Sequence, residues 1–322
     1  MRNRLPRART DEGMWDTEHL EEKSQLTAQW GMVGPRAYKG LPPSSEKLPS
    51  GVYSVTLDRN DERSVFIRRD VKTDDIFELG DPLLDRTLME VRDFWGLGKK
   101  FKKFGFLHRR GYLFYGPQGT GKSSVVKQLM NDVIKEGGVV LLCDNPKFFD
   151  QGLTTLRQGE PGRRIMCVFE DIDTIIARYG EDELLAILDG ANMVNTVLNV
   201  ATTNYPEKLD KRIVSRPRRF DRVVKVDVPN AGVRSAFFKK QIPKIAAGKL
   251  AKLVTDTEGL SMAALAEVVI STYCLGNSMT QTLEILRAME AGNPNSDEFG
   301  TKSKFGFAQD FGGEEEGDNI LD

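Results

Sequence analysis

Histidine is nearly missing from this chain: 322 residues carry only His19 and His108, far apart in sequence. That scarcity argues against most histidine-based metal centres and catalytic triads. Cysteine is also scarce. Cys143, Cys167 and Cys274 form no CxxC pair, and two of them sit inside apolar runs. They read as reduced core thiols, not as a disulfide framework. Net charge is small as well, −1 from 46 basic and 47 acidic residues. This speaks against a protein whose main task is coating nucleic acid or an anionic membrane. Long hydrophobic runs are missing too. No unbroken run exceeds the five residues of Val139-Val140-Leu141-Leu142-Cys143, far short of the roughly 20 residues of a membrane span. The opening MRNRLPRARTDEG is charged and has no apolar stretch behind it, unlike a secretory signal. No internal repeat is visible. The expectation is a cytoplasmic protein.

What is present is organised. Apolar residues make up 39% and charged residues 29%, which suits a folded core with an ordinary surface. Residues 1–50 have few periodic apolar positions and read as a loosely ordered arm with one short helix near 18–30. Residues 51–76 hold a hairpin: GVYSVTL alternates, 58–62 turns and 64–67 returns. From 77 to 228, Leu84, Leu88, Val91 and Trp95 recur at helical spacing, and then short apolar runs alternate with helices. Those runs are Tyr112–Tyr115, Val139–Cys143, Ile165–Phe169, Val197–Ala201 and Val223–Val228. They predict an α/β fold with a doubly wound, parallel, five-stranded sheet. Residues 229–290 are helical throughout and predict a small second domain. Residues 291–322 hold eight acids against two lysines and read as a disordered acidic tail.

The strongest chemical signal is Gly116-Pro117-Gln118-Gly119-Thr120-Gly121-Lys122-Ser123-Ser124, after a strand and at the start of a helix. Glycines there let backbone N–H groups curl around phosphate, Lys122 reaches the outer phosphates, and the Ser123 hydroxyl is placed for Mg²⁺. A second signal is IMCVF followed by Glu170-Asp171-Ile172-Asp173. A buried strand ending in acids delivers one carboxylate to a hydrated Mg²⁺ and the next to an attacking water. A third is the run VLNVATT ending in Asn204, whose amide can sit between the γ-phosphate and that water. Ser215-Arg216-Pro217-Arg218-Arg219-Phe220-Asp221-Arg222 then clusters arginines, which can stabilise a transferring phosphoryl group from a neighbouring subunit.

GPQGTGKSS, VFEDID, VATTNYPEKLDKRI and SRPRRFDR resemble, in order and spacing, the AAA ATPases, and TEGLSMAALAEVV resembles that family's helical lid. The resemblance covers about residues 77–290. In motif style it looks closest to the mitochondrial inner-membrane translocase of folded proteins, without its membrane helix, and short phage ATPases look similar. The resemblance implies a P-loop NTPase fold with a lid, ATP and Mg²⁺ as cofactors, and a homo-oligomeric, hexameric ring. It further implies Ser123 and Glu170 at the metal, Asp171 and Asn204 at the attacking water, and Arg216 and Arg219 as fingers into the next subunit.

Three departures stand out. Asp171 falls where most members have Glu, which withdraws the carboxylate by about 1.5 Å, one C–C bond. Met262 and Ala264 replace the usual Gly and Asp of the lid. Where the family has its substrate-gripping pore loop, this chain has Pro146-Lys147-Phe148-Phe149-Asp150-Gln151-Gly152. Phe148 and Phe149 either grip an unfolded polypeptide or pack beneath the loop. The leading expectation is an ATP-hydrolysing ring that remodels, unfolds or translocates a protein. The alternatives are a nucleic-acid-directed ATPase with Arg2, Arg4, Arg7 and Arg9 as its contact, and an assembly scaffold with slow turnover.

Overall fold

The computed structural model describes residues 30–34, 37–40, 45–58, 63–71, 81–189, 195–214 and 218–291. The acidic tail beyond 291, most of the N-terminal arm with its expected helix, and Arg216 lie outside the described residues. Trp30, at the end of that expected helix, begins a strand instead. Strands β1 (Trp30–Gly34) and β2 (Ala37–Gly40) form a small antiparallel pair.

The main sheet has seven strands, ordered β4-β3-β6-β7-β8-β5-β9. These are β3 (Gly51–Leu57), β4 (Ser64–Arg69), β5 (Arg109–Tyr115), β6 (Val139–Leu142), β7 (Ile165–Phe169), β8 (Val197–Thr203) and β9 (Arg222–Lys225). Five of them are the expected parallel set. The sheet is larger than the expected five strands because the hairpin joins it: β3 pairs in parallel with β6 and antiparallel with β4. An apolar hairpin edge left alone would expose unpaired backbone groups, and docking on β6 satisfies them.

Burial on both faces explains why the central strands read as unbroken apolar runs. All five residues of β7 are buried, and β8 buries even Asn199, Thr202 and Thr203. One face carries Tyr112, Phe114, Val140, Met166 and Leu198, packed against α1 (Pro82–Phe94) and α3 (Lys122–Lys135). The other carries Leu113, Leu141, Cys167 and Phe169, beneath α4 (Pro146–Gly159), α5 (Ile172–Tyr179) and α6 (Glu181–Asp189).

Helix starts are fixed by side-chain caps. Asp81 accepts from the Leu83 and Leu84 amides ahead of α1, and Asn145 accepts from Lys147 and Phe148 ahead of α4. Both helices place proline at the first position, where no N–H is needed. The short helices α2 (Gly98–Lys103) and α7 (Lys211–Val214) lead toward β5 and β9. The helical region after β9 comprises α8 (Ala231–Gln241), α9 (Ala247–Asp256), α10 (Met262–Val269) and α11 (Met279–Ala291). Its apolar residues Phe237, Leu265 and Leu283 continue the α1–α3 face of the sheet core. In the described residues no helix is long and apolar enough to cross a membrane.

The hairpin is held from behind by α4. A Cβ on Gly152 would stand 2.6 Å from both Val55 methyls, so the helix lies on β3 at a distance only glycine permits. Gly152→Ala is therefore expected to cost about 1–3 kcal/mol by overpacking, read by urea unfolding. Val55→Ala in the same chain should return part of that loss.

Candidate functional site

The phosphate-loop residues converge at the carboxyl edge of the sheet, beyond β5. This strand comes before β6 in the chain but lies between β8 and β9, so its end is a point where strand order reverses and a crevice opens. Gly116 (φ 150°) sits so close to β9 that a Cβ would be 2.1 Å from the Val226 carbonyl oxygen. Gly119 (φ 75°) and Gly121 (φ 102°) take left-handed conformations that turn the loop into the N-terminus of α3. Thr120 Oγ1 closes the loop on the Pro117 carbonyl at 2.9 Å.

Lys122 opens α3 and is buried, with Nζ donating to the Gly116 and Pro117 carbonyls at 2.8 and 2.7 Å. Burial pulls its pKa below the ordinary lysine value, while Asp171 and Asp173 oppose that shift. The loop thus holds a desolvated ammonium at the N-terminus of α3, where the first-turn amides point along the helix axis toward the loop. That donor set fits a nucleotide's phosphates.

Glu170 and Asp171 directly follow β7, and bonds from the β8 end hold the acids there. Asp171 lies in the left-handed region (φ 46°, ψ 57°), and its N–H donates to Thr202 Oγ1 at 3.0 Å. Asn204 Nδ2 reaches Asp171 Oδ1 at 3.5 Å, the outer limit of a hydrogen bond. Thr203 Oγ1 donates to Asp173 Oδ1 at 2.6 Å. Crowding by protein raises the pKa of Glu170, and the adjacent Asp171 carboxylate raises it further. A cation placed there would relieve this repulsion. Glu170 and the exposed Ser123 hydroxyl are hard oxygen donors, which suits Mg²⁺ held partly through water.

Lys122, Ser123, Asp171 and Asn204 line one cavity of about 320 Å³, closed on its far side by Met262 and Ala263. The Ala263 N–H donates to the Gly119 carbonyl at 3.1 Å, so α10 is tied to the phosphate loop through backbone. Of the two replaced lid positions, Met262 faces the nucleotide cavity, while Ala264 is buried and lines a separate groove. A neighbouring cavity of about 230 Å³ is lined by Leu84, Thr120, Val226, Val228, Val233 and Met262. Asp81, Lys225 and Asp227 line it too, so apolar side chains and charged groups both face a space that could take a nucleoside base. Sequence reasoning missed this half of the site. The signals that bear on it were the Asp81-Pro82 helix start and the strand end at Val228-Pro229.

Two expectations change. Phe148 and Phe149 are not an exposed pair on a loop. The Asn145 cap and Pro146 start α4 there, Phe148 is half-buried, and Phe149 is core, 5.4 Å from the Phe169 ring. The aromatic grip on a polypeptide is thereby lost for Phe149, because its ring is part of the helix's apolar face. Arg219 is also turned inward. Its guanidinium forms a two-pronged pair with Asp189 (2.6 and 2.7 Å) and donates to the Arg212 carbonyl at 2.5 Å. Only 3% of its surface is exposed. A fork-to-fork pair of this kind fixes both partners in place.

Residues 112–228 match the family model described as the ATPase family associated with various cellular activities (AAA). Among curated relatives, the mitochondrial inner membrane i-AAA protease supercomplex subunit YME1 of Saccharomyces cerevisiae is 28% identical over 231 residues, covering 65% of this chain and 30% of that protein. The ATPase family gene 2 protein of Schizosaccharomyces pombe is 31% identical over 180 residues, 50% of this chain and 21% of that one. The ATP-dependent zinc metalloprotease FtsH of Aster yellows witches'-broom phytoplasma is 29% identical over 173 residues, with 47% and 25% covered. The chain therefore spans under a third of the length of these relatives.

Lys122→Ala is expected to lower affinity for ATP at least about 100-fold, since it removes one partner of a buried charge contact. Titration calorimetry checks this, and near-normal affinity would remove Lys122 from the site.

Proposed function

Because the chain belongs to the AAA ATPases, we propose that it hydrolyses ATP with Mg²⁺ in a homo-hexameric ring and uses the cycle to remodel, unfold or translocate a protein. The observation that carries this reading is the bond from the lid to the phosphate loop. Gly119 offers its carbonyl to Ala263, and Met262 touches both cavities. A change at the phosphates therefore moves the backbone that α10 rests on, and the lid is the element that passes the change on.

In this reading the loop amides and Lys122 bind the phosphates, and Ser123 and Glu170 hold the metal. Bound Mg²⁺ supplies charge neutralisation at the phosphoryl oxygens. Asp171, pinned by Thr202 and facing Asn204, orients water. Its shorter side chain slows this step relative to glutamate, because small displacements of a positioning group change rates strongly. Arg216 reaches into the neighbouring subunit's site, and Arg219 holds the arginine loop in shape through Asp189 before serving there. A protein client is supported by the relatives named as proteases, whose matched segments include this module.

Asp171→Asn is expected to bind ATP normally, lose turnover and retain its client, which co-purification and mass spectrometry would identify. Failure to retain any protein while turnover is lost counts against a protein substrate. The arginines separate by a second measurement. Arg219→Ala should lower both the unfolding midpoint and turnover, whereas Arg216→Ala should lower turnover alone. Supplied arginines are worth about 10³–10⁵ in rate. Rings mixed from Arg216→Ala and Asp171→Asn subunits should regain activity, since an intact finger then meets an intact acid pair across one interface. No recovery in rings shown to be mixed would refute the trans arrangement.

A further inference from the structure

At the opposite edge of the sheet from the phosphate loop, the chain before β5 reads Lys99-Lys100-Phe101-Lys102-Lys103-Phe104-Gly105-Phe106-Leu107. Phe101 alone turns inward, edge-on to Phe94 at 5.8 Å and 5.1 Å from the buried His108 ring. That cluster anchors the segment to the core. Residues 102–107 are exposed without a break, and Phe104 and Phe106 leave 69% and 57% of their surface in solvent. Among the described residues the four lysines make no ion pair. Glu90 of α1 and Asp221 ahead of β9 face Arg110 and Arg222 instead. Each exposed ring has a cation beside it: Lys103 Nζ lies 5.9 Å from the Phe104 centroid, and Arg218 Cζ lies 5.8 Å from that of Phe106.

Arg218 supplies a second, independent observation. Its φ of 78° is in the left-handed region, where glycine fits freely and a long side chain is strained. Its N–H donates to Asp221 and its carbonyl accepts from Arg109, and the backbone so held sets the guanidinium over Phe106. Charge is segregated along the chain in the same sense. Residues 1–290 carry 44 basic against 39 acidic side chains, and the net −1 arises from the acidic last 32.

We propose that Lys99, Lys100, Lys102, Lys103, Phe104, Phe106 and Arg218 form a binding surface for single-stranded nucleic acid. The rings stack unpaired bases, and the cations between them follow the phosphates. An acidic peptide would use the lysines but leave both rings without a role. A duplex would hide the base faces that the rings need.

The test is fluorescence anisotropy of labelled (dT)20 and (rU)20 with the full chain, without ATP, from 50 to 200 mM NaCl. Three to five phosphate contacts give a log–log salt slope of about −2 to −3.5, and each of Lys99→Ala and Lys102→Ala reduces it by about 0.7. The Phe104→Ala, Phe106→Ala double variant should weaken binding at least about tenfold. Arg218→Gly should raise the unfolding midpoint by about 2 °C, by removing strain, while weakening binding several-fold. That opposite movement separates a binding role from a structural one. Binding of either oligonucleotide with these dependences supports the proposal. It is overturned if neither binds at 50 mM salt, if binding survives loss of both rings, or if a 20-residue poly-glutamate binds as tightly. It is likewise overturned if loss of the rings changes only self-association in the ultracentrifuge, which would make this face a contact between copies.

Discussion

The pairing of β5 with β9 is the contact on which the rest of the molecule depends. At each end of β5 a glycine lets the opposing backbone come within a distance no side chain allows. A Cβ on Gly111 would lie 2.0 Å from the Arg219 carbonyl oxygen, and one on Gly116 would lie 2.1 Å from that of Val226. Backbone bonds close the same seam, from Asp221 to Gly111 and from Val226 to Tyr115. The phosphate loop and the arginine loop are therefore the two ends of one strand pair. A displacement at either is carried along a stiff ladder, not through a flexible connection.

Around that seam the polar groups are arranged so that no large charge stands alone. Lys122 is desolvated but shared between two carbonyls and faced by Asp171 and Asp173. Asp171 is strained in its backbone yet held from β8 by Thr202 and Asn204. Strain of this kind persists only where surrounding bonds over-determine the conformation. Arg219 shows the same logic at the other end, with a buried guanidinium matched by Asp189 and the Arg212 carbonyl of α7. Arg218, next to it, is held in the same way, its N–H donating to Asp221 and its carbonyl accepting from Arg109, while its side chain lies at the surface.

Much of this was legible in the residues alone. Continuous apolar runs mark strands buried on both faces, so the five parallel strands and their helices could be read off directly. The phosphate loop was legible because its chemistry is local: glycine conformations, a helix start and one lysine lie within nine residues of sequence. The acids at the end of β7 and Asn204 at the end of β8 were legible for a related reason, since parallel strands deliver their ends to one edge.

Contacts between distant segments were decided only by tertiary structure. The hairpin's place in the sheet depends on β6 and on the close approach of α4 at Gly152, which alternation within β3 and β4 does not encode. Phe149 carries no mark of burial in itself, and the Asn145 cap and the facing Phe169 ring settle it. The base-sized cavity draws on α1, β9 and two lid helices, so no single stretch displays it. Arg219 likewise looks like any surface arginine until Asp189, thirty residues earlier, is placed beside it. Sequence determines what each segment tends to form because that choice is set within a few residues. Which side chains meet is set by packing between segments, and only the assembled core decides it.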